Sequence, residues 1–193
     1  MNSTLKRLLV FTSLVLLLIG LIGCTSNDSP LFGLDETPLL RAVHSGDIAQ
    51  AKALLDKGGN ANEGDGLGWT VLMIAAGRGD NNMVNLLLNK GANIHVTTVN
   101  GWTALHRAVE NGRTDTVELL LKRGAKINAQ NVPGTTPLIL AVENRQEDTV
   151  ALLLKKKANF RIKDKQGRSA LQIATEKKYP ELIDLLKSAG AKE

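Results

Sequence analysis

Gly68, Gly101, Gly134 and Gly167 are evenly spaced, and the residues around them recur at the same interval. One register holds Thr37, Thr70, Thr103, Thr136 and Ser169. A second holds Leu39, Leu72, Leu105, Leu138 and Leu171, and a third holds Ala42, Ala75, Ala108, Ala141 and Ala174. A fixed period of about 33 residues means that one small supersecondary unit is copied and stacked, because a unit so short cannot bury its apolar face alone. Five copies without insertion account for residues 35–193, divided at 35–67, 68–100, 101–133, 134–166 and 167–193.

Each copy predicts two helices. The hydroxyl residue is suited to cap the first, and Pro38 and Pro137 follow it where a missing N–H costs nothing. Leu and Ala then fall three apart, and the helix is expected to stop near Gly46, Gly79 or Gly112, with Arg145 and Lys178 in that place in the last two copies. The second helix carries Leu54-Leu55, then the triplets 86–88, 119–121 and 152–154, and ends at Gly58, Gly91, Gly124 or Gly190, suited to a left-handed cap. Lys157 breaks that rule, at about 1 kcal/mol if its backbone is left-handed. Aromatics are only 3% of the chain, so the core must come from Leu, Ala, Val and Ile, which suits close-packed helices better than a sandwich.

Thr136-Pro137-Leu138-Ile139-Leu140-Ala141, Gly101-Trp102-Thr103-Ala104-Leu105-His106-Arg107-Ala108 and Leu119-Leu120-Leu121-Lys122-Arg123-Gly124-Ala125 resemble the ankyrin repeat. The resemblance implies an all-α solenoid of helix-turn-helix units, stacked side by side as antiparallel pairs with hairpin-like loops projecting at right angles. Asp65 and Asp164 fit the family's loop acid three residues before glycine, whereas Thr98 and Asn131 depart from it. Ala53 in the first copy and Lys187 in the last replace leucines of the intervening copies and read as polar caps for a stack of five.

The chain begins differently. Lys6 and Arg7 precede an apolar run from Leu8 to Ile22, followed by Gly23 and the only cysteine, Cys24. That order reads as a secretory signal over residues 1–23, and the run is shorter than the ~20 residues of a membrane-spanning helix. Leu21-Ile22-Gly23-Cys24 resembles the lipobox of bacterial lipoproteins. It implies a lipidated Cys24 as the mature N-terminus, held on a membrane by two or three acyl chains. Thr25 stands where an aspartate would favour the inner membrane, so an outer-membrane, periplasm-facing placement is expected, and residues 24–34 read as a short tether. Loss of the signal lowers the formal charge from +5 to +3.

Chemistry is sparse. His44, His95 and His106 fall at different repeat positions, and His106 takes the family's turn-holding place. Gly64-Asp65-Gly66-Leu67-Gly68 lacks the preceding strand of a phosphate loop, and the glycine of Arg78-Gly79-Asp80 is in register with the interhelical turns. Glu110 and Glu143 share one repeat position without a nucleophile or ligand set beside them. The expectation is a chain with no catalytic residue, metal, cofactor, small-molecule substrate or nucleic acid, and with a protein as its partner.

In the family it resembles, partners contact loop tips and the inner face of the first helices. On this chain the tip positions are Trp69, Trp102, Thr135 and Arg168, and the helix positions include Arg78, Glu110, Asn111, Glu143, Asn144 and Lys177. Trp69 and Trp102, the only tryptophans, are either a binding hot spot or a structural shelf. Residues 134–193 hold 12 basic and 8 acidic side chains, and Lys155, Lys156, Lys157, Arg161, Lys163, Lys165 and Arg168 either face an acidic partner, anionic lipid or nucleic acid or form a solvated face. Two functions fit: a membrane-anchored scaffold or inhibitor, for example an immunity protein against a delivered toxin, or an envelope-maintenance factor touching lipid or cell-wall polymer through its basic C-terminal repeats.

Overall fold

The computed structural model describes residues 37–192, and the signal segment, Cys24 and the tether lie outside them. The described residues hold ten α-helices in five pairs. They are α1 (Pro38–Ser45) and α2 (Ile48–Asp56), α3 (Val71–Arg78) and α4 (Asn81–Asn89), α5 (Ala104–Glu110) and α6 (Thr114–Lys122), α7 (Pro137–Glu143) and α8 (Glu147–Lys155), and α9 (Ala170–Glu176) and α10 (Pro180–Ser188). Among these residues β-structure is confined to two isolated bridges, Gly64 to Thr70 and Lys163 to Ser169. This is the all-α repeat solenoid that the resemblance implies.

Local chemistry sets each boundary. Thr37, Thr70, Thr103, Thr136 and Ser169 all have extended backbones, and each hydroxyl oxygen accepts the N–H three residues on, at 3.2–3.3 Å. Such a bond satisfies one otherwise orphaned donor and contributes about 1 kcal/mol. Pro38 and Pro137 open α1 and α7 as expected. At the turn between paired helices the chain goes left-handed, at Gly46, Gly79 and Gly112 but also at Arg145 and Lys178, with φ of 53° and 56°. Lys157 is likewise left-handed, with φ of 63°.

The second helices start in two ways. Asp47 and Asp80 cap α2 and α4 through bonds from Gln50 and Met83 N–H, each 2.9 Å. Arg113, Gln146 and Tyr179 hold the same place in later repeats and make no capping bond. Two of them turn to the preceding repeat instead: Arg113 Nε donates to the Gly77 carbonyl at 3.3 Å, and the Tyr179 ring lies 5.3 Å from the Arg145 guanidinium. A local stabilisation is exchanged for one across the joint.

The core runs through the stack as one continuous cluster. In the leucine triplets only the middle residue is fully enclosed: Leu87, Leu120 and Leu153 have no exposed surface, nor does the equivalent Leu186, while their neighbours are half-buried. Each enclosed leucine contributes roughly 1.5–3 kcal/mol. Ala42, Ala75, Ala108, Ala141 and Ala174 are wholly buried, and their small side chains let each first helix lie close to its neighbour. Ala53 and Lys187, the two positions read as caps, are exposed.

Candidate functional site

The loops between repeats are fingers, each closed by one side chain. In the first, Asp65 Oδ1 accepts from Leu67 and Trp69 N–H at 2.9 Å. In the last, Asp164 Oδ1 accepts from Gln166 and Arg168 N–H at 3.0 and 2.8 Å. Thr98 and Asn131, which depart from the loop acid, do part of the same work: Thr98 Oγ1 accepts from Trp102 N–H at 3.1 Å and Asn131 Oδ1 from Thr135 N–H at 2.8 Å. Closing the finger needs an acceptor, not a charge. The Gly64 to Gly68 loop therefore directs two N–H groups at its own aspartate, where a phosphate loop would present them outward.

Backbone bonds tie successive fingers together. Val99 N–H donates to the Leu67 carbonyl at 3.0 Å, Val132 N–H to Asn100 at 2.8 Å, and Lys165 N–H to Pro133 at 2.9 Å. The periodic glycine explains itself here. At Gly134, with φ of 82°, a Cβ would sit 2.9 Å from the Lys165 backbone nitrogen, so the next finger closes over it only because it has none.

The predicted binding positions lie along this joint. Trp69, Trp102, Thr135 and Arg168, expected at the loop tips, stand instead at the finger bases, because each gives its N–H to the residue that closes its finger. Trp69 and Trp102 are half-buried, with ring centroids 6.4 Å apart and planes 42° from parallel, and Trp102 lies 5.8 Å from the His106 ring. The Arg107 guanidinium covers Trp69 at 5.3 Å and pairs with Glu110. Its aliphatic stem crosses Gly77, where a Cβ would stand 2.9 Å from Arg107 Cγ. Sequence reading counted Gly77 among the helix contact positions and gave Arg107 no role. The signal was present in the register, since Arg107 stands where the second, fourth and fifth repeats have Ile74, Leu140 and Ile173 and the first has Arg41, and Gly77 where the later repeats have Glu110, Glu143 and Glu176.

Arg168 occupies the tryptophan position of the last repeat and makes a polar joint. Its guanidinium lies 2.8 Å from Asp164, 3.6 Å from Glu143 and 3.7 Å from Glu176. Burial pushes the Asp164 carboxyl up, and the Arg168 N–H, guanidinium bond and charge, with the Gln166 N–H, outweigh it and hold the group below the ordinary carboxylate range. Between the inner helices, Asn144 Nδ2 donates to the Glu110 carbonyl at 3.4 Å and Lys177 Nζ to the Glu143 carbonyl at 3.2 Å, while Asn111 Nδ2 folds back on Arg107 O at 3.0 Å. Arg78, Asn144 and Lys177 are exposed, and Glu110, Asn111, Glu143 and Arg168 half-buried.

Thr135 corrects the sequence reading further. It is buried at 8% exposure, because its N–H is held by Asn131 and its carbonyl takes the Nε2 proton of His106 at 3.1 Å. It belongs to the joint and offers no surface. His106 is itself wholly buried. Its Nδ1 accepts the Thr103 N–H at 3.3 Å, which leaves the proton on Nε2 and fixes a neutral ring. Burial drives its pKa below the ordinary imidazole value, against the pull of the Thr135 and Ala129 carbonyls.

The basic set divides. Lys156 lies 3.2 Å from Glu118, which Lys122 also approaches at 3.3 Å, and Arg168 is engaged as above. Lys155, Lys157, Arg161, Lys163 and Lys165 are exposed. Among the described residues no three His, Cys, Asp or Glu side chains gather as metal ligands would, and no helix is long and apolar enough to cross a membrane. The family described as ankyrin repeats, in three copies, is matched over residues 11–98, 39–131 and 130–193. No curated protein matches the chain.

Proposed function

This chain belongs to the ankyrin-repeat family, and on that premise we propose that it is a lipid-anchored binding module that holds one protein partner through the ridge formed by its inner helices and finger bases. Ankyrin repeats make a protein-binding module the coarse assignment. The observation that supports this particular ridge is its change of chemistry from repeat to repeat. The hydroxyl caps of the first helices and the buried leucines and alanines that follow them keep their residue types, whereas Arg78, Asn111, Asn144 and Lys177, or Trp69, Trp102 and Arg168, alternate among charge, amide and aromatic at one geometry. A surface that differs along its length on a constant frame suits recognition of one extended partner.

The anchor is Cys24, the compartment is the periplasm at the outer membrane, and the activity is that of a scaffold or inhibitor, with a toxin-neutralising immunity protein as its most specific form. Supporting the anchor are the charge pair, the apolar run and the Leu21-Ile22-Gly23-Cys24 sequence.

Crosslinked envelopes carrying the wild type and an Arg78→Glu, Asn144→Arg, Lys177→Glu variant test the ridge, because these three side chains are exposed and changing them leaves the buried core in place. A partner identified by mass spectrometry with the wild type and lost with the variant, at unchanged circular dichroism, supports the assignment. Equal recovery removes the partner from this ridge. Labelling with a radioactive fatty acid that persists in Cys24→Ser would overturn the anchor separately.

A further inference from the structure

Among the described residues, the large hydrophobic side chains left exposed are Leu67 at 48%, Val99 at 66% and Val132 at 50%. They are not scattered. Each stands at the tip of a successive finger, and the bonds from Val99 N–H to Leu67 and from Val132 N–H to Asn100 lay the three tips side by side. In the fourth finger the position of Val99 and Val132 is taken by Lys165, tied by its N–H to Pro133 and exposed, with Lys163 exposed two residues before it. Carboxylates at these tips turn inward: Asp65 Oδ1 holds two N–H groups of its own finger, and Asp164 is closed by two N–H groups and Arg168. The crest thus runs Leu, Val, Val, Lys, with the Asp65 and Asp164 carboxylates each bonded within its own finger.

We propose that this crest of finger tips dips into an anionic lipid surface, its aliphatic side chains entering the interface and Lys163 and Lys165 meeting the headgroups. The three side chains project from loop tips, Val99 with 66% of its surface exposed, and the exposed Lys163 and Lys165 beside them add positive charge. Lipid needs no pocket. Protruding aliphatics enter it directly, tryptophans rest at its boundary, and lysines are drawn to anionic headgroups. Trp69 follows Leu67 by two residues and Trp102 follows Val99 by three, which sets both rings at the base of the crest. The contact is independent of Cys24 and would orient a protein held by any anchor.

The test is the full chain reconstituted with vesicles of phosphatidylethanolamine and phosphatidylglycerol whose acyl chains are brominated. Bromine quenches only nearby indoles, and the two tryptophans are the only ones in the chain. Their emission is therefore blind to an anchor at the N-terminus. The expected result is a loss of emission relative to unbrominated vesicles, a smaller loss in phosphatidylcholine, and recovery in a Val99→Asp, Val132→Asp variant. Lys163→Glu with Lys165→Glu should shift the response toward that of phosphatidylcholine. Equal emission from brominated and unbrominated anionic vesicles, with helical dichroism intact, overturns the proposal and leaves the crest to a protein surface. Quenching that survives both aspartates overturns it as well.

Discussion

The joint between the second and third repeats and the joint between the fourth and fifth use the same backbone frame with opposite chemistry. At the first, Trp69 lies tilted against Trp102 and Arg107 crosses Gly77 to cover the indole. At the second, Arg168 stands in the tryptophan position and draws together Asp164, Glu143 and Glu176. The frame does not care which is used, because the fingers are closed by backbone bonds and one acceptor each. Residues at the joint are consequently free to differ, and the partly exposed contacts of Arg168 with Glu143 and Glu176 should make the ionic joint the more sensitive to salt.

The sharpest way to break this contrast is Trp102→Ala. Removing a half-buried ring that contacts Trp69 and His106 should lower stability by about 3 kcal/mol, with the same loss at low and high salt in urea unfolding. A loss that shrinks with salt would mean that the joint owes its strength to charge. Asp164→Ala should cost about 2 kcal/mol by orphaning two finger N–H groups, and Asp164→Asn should recover most of it, because Asn131 closes its finger without a charge. Full loss in the asparagine variant would make the ion pair, and not the acceptor, the closing element.

Acid separates the joints further. The His106 pKa is lowered in the folded chain, so the unfolded chain takes up that proton first as pH falls. The stability tied to it is whole above about 6.5, the ordinary imidazole value, and is lost as pH falls through the folded value. Asp164, whose folded pKa is also lowered, keeps its contribution above about 3.9 and loses it below. Melting curves should therefore show one acid-sensitive step that sets in just below neutrality and that His106→Gln removes, and a second, at lower pH, that Asp164→Asn removes.

Lys157→Gly should add about 1 kcal/mol, since a left-handed backbone no longer has to carry a side chain. Gly77→Ala is the mildest and most specific change. The methyl gains helix propensity of about 1 kcal/mol and displaces Arg107, so stability should stay within about 1 kcal/mol of wild type. Indole emission should change nonetheless as the guanidinium leaves Trp69. Unaltered emission would show that the stem of Arg107 does not rest on Gly77.

What the sequence disclosed follows from where each requirement originates. Glycine at the four fingers and hydroxyl at the five caps answer to local backbone geometry, and leucine in the second helix to burial that every repeat shares, and so they recur at a fixed interval and can be read in one pass. The opposition of Arg107 and Gly77 arises only when the first helices of two successive repeats are set side by side, and no property of either residue alone declares it. Thr135 misled for the same reason. Its register matched positions expected at exposed tips, and its burial depends on an imidazole from the preceding repeat. The loop acceptors erred in the other direction, because Thr98 and Asn131 looked like departures and yet each closes its finger with one of the two bonds that the aspartates accept.

Gly77 and Arg107 also bear on how such a chain can change its length. Duplicating or deleting one whole repeat is the simplest rearrangement open to a repeating gene, and most joints here would tolerate it, since each finger meets the next through backbone. Excising residues 101–133 would bring Leu140 over Gly77 and Thr135 beside Trp69, leaving a gap where the guanidinium lay and an indole without its cover. The second and third repeats are therefore fitted to each other, and a deletion that parts them should be less well tolerated than one elsewhere.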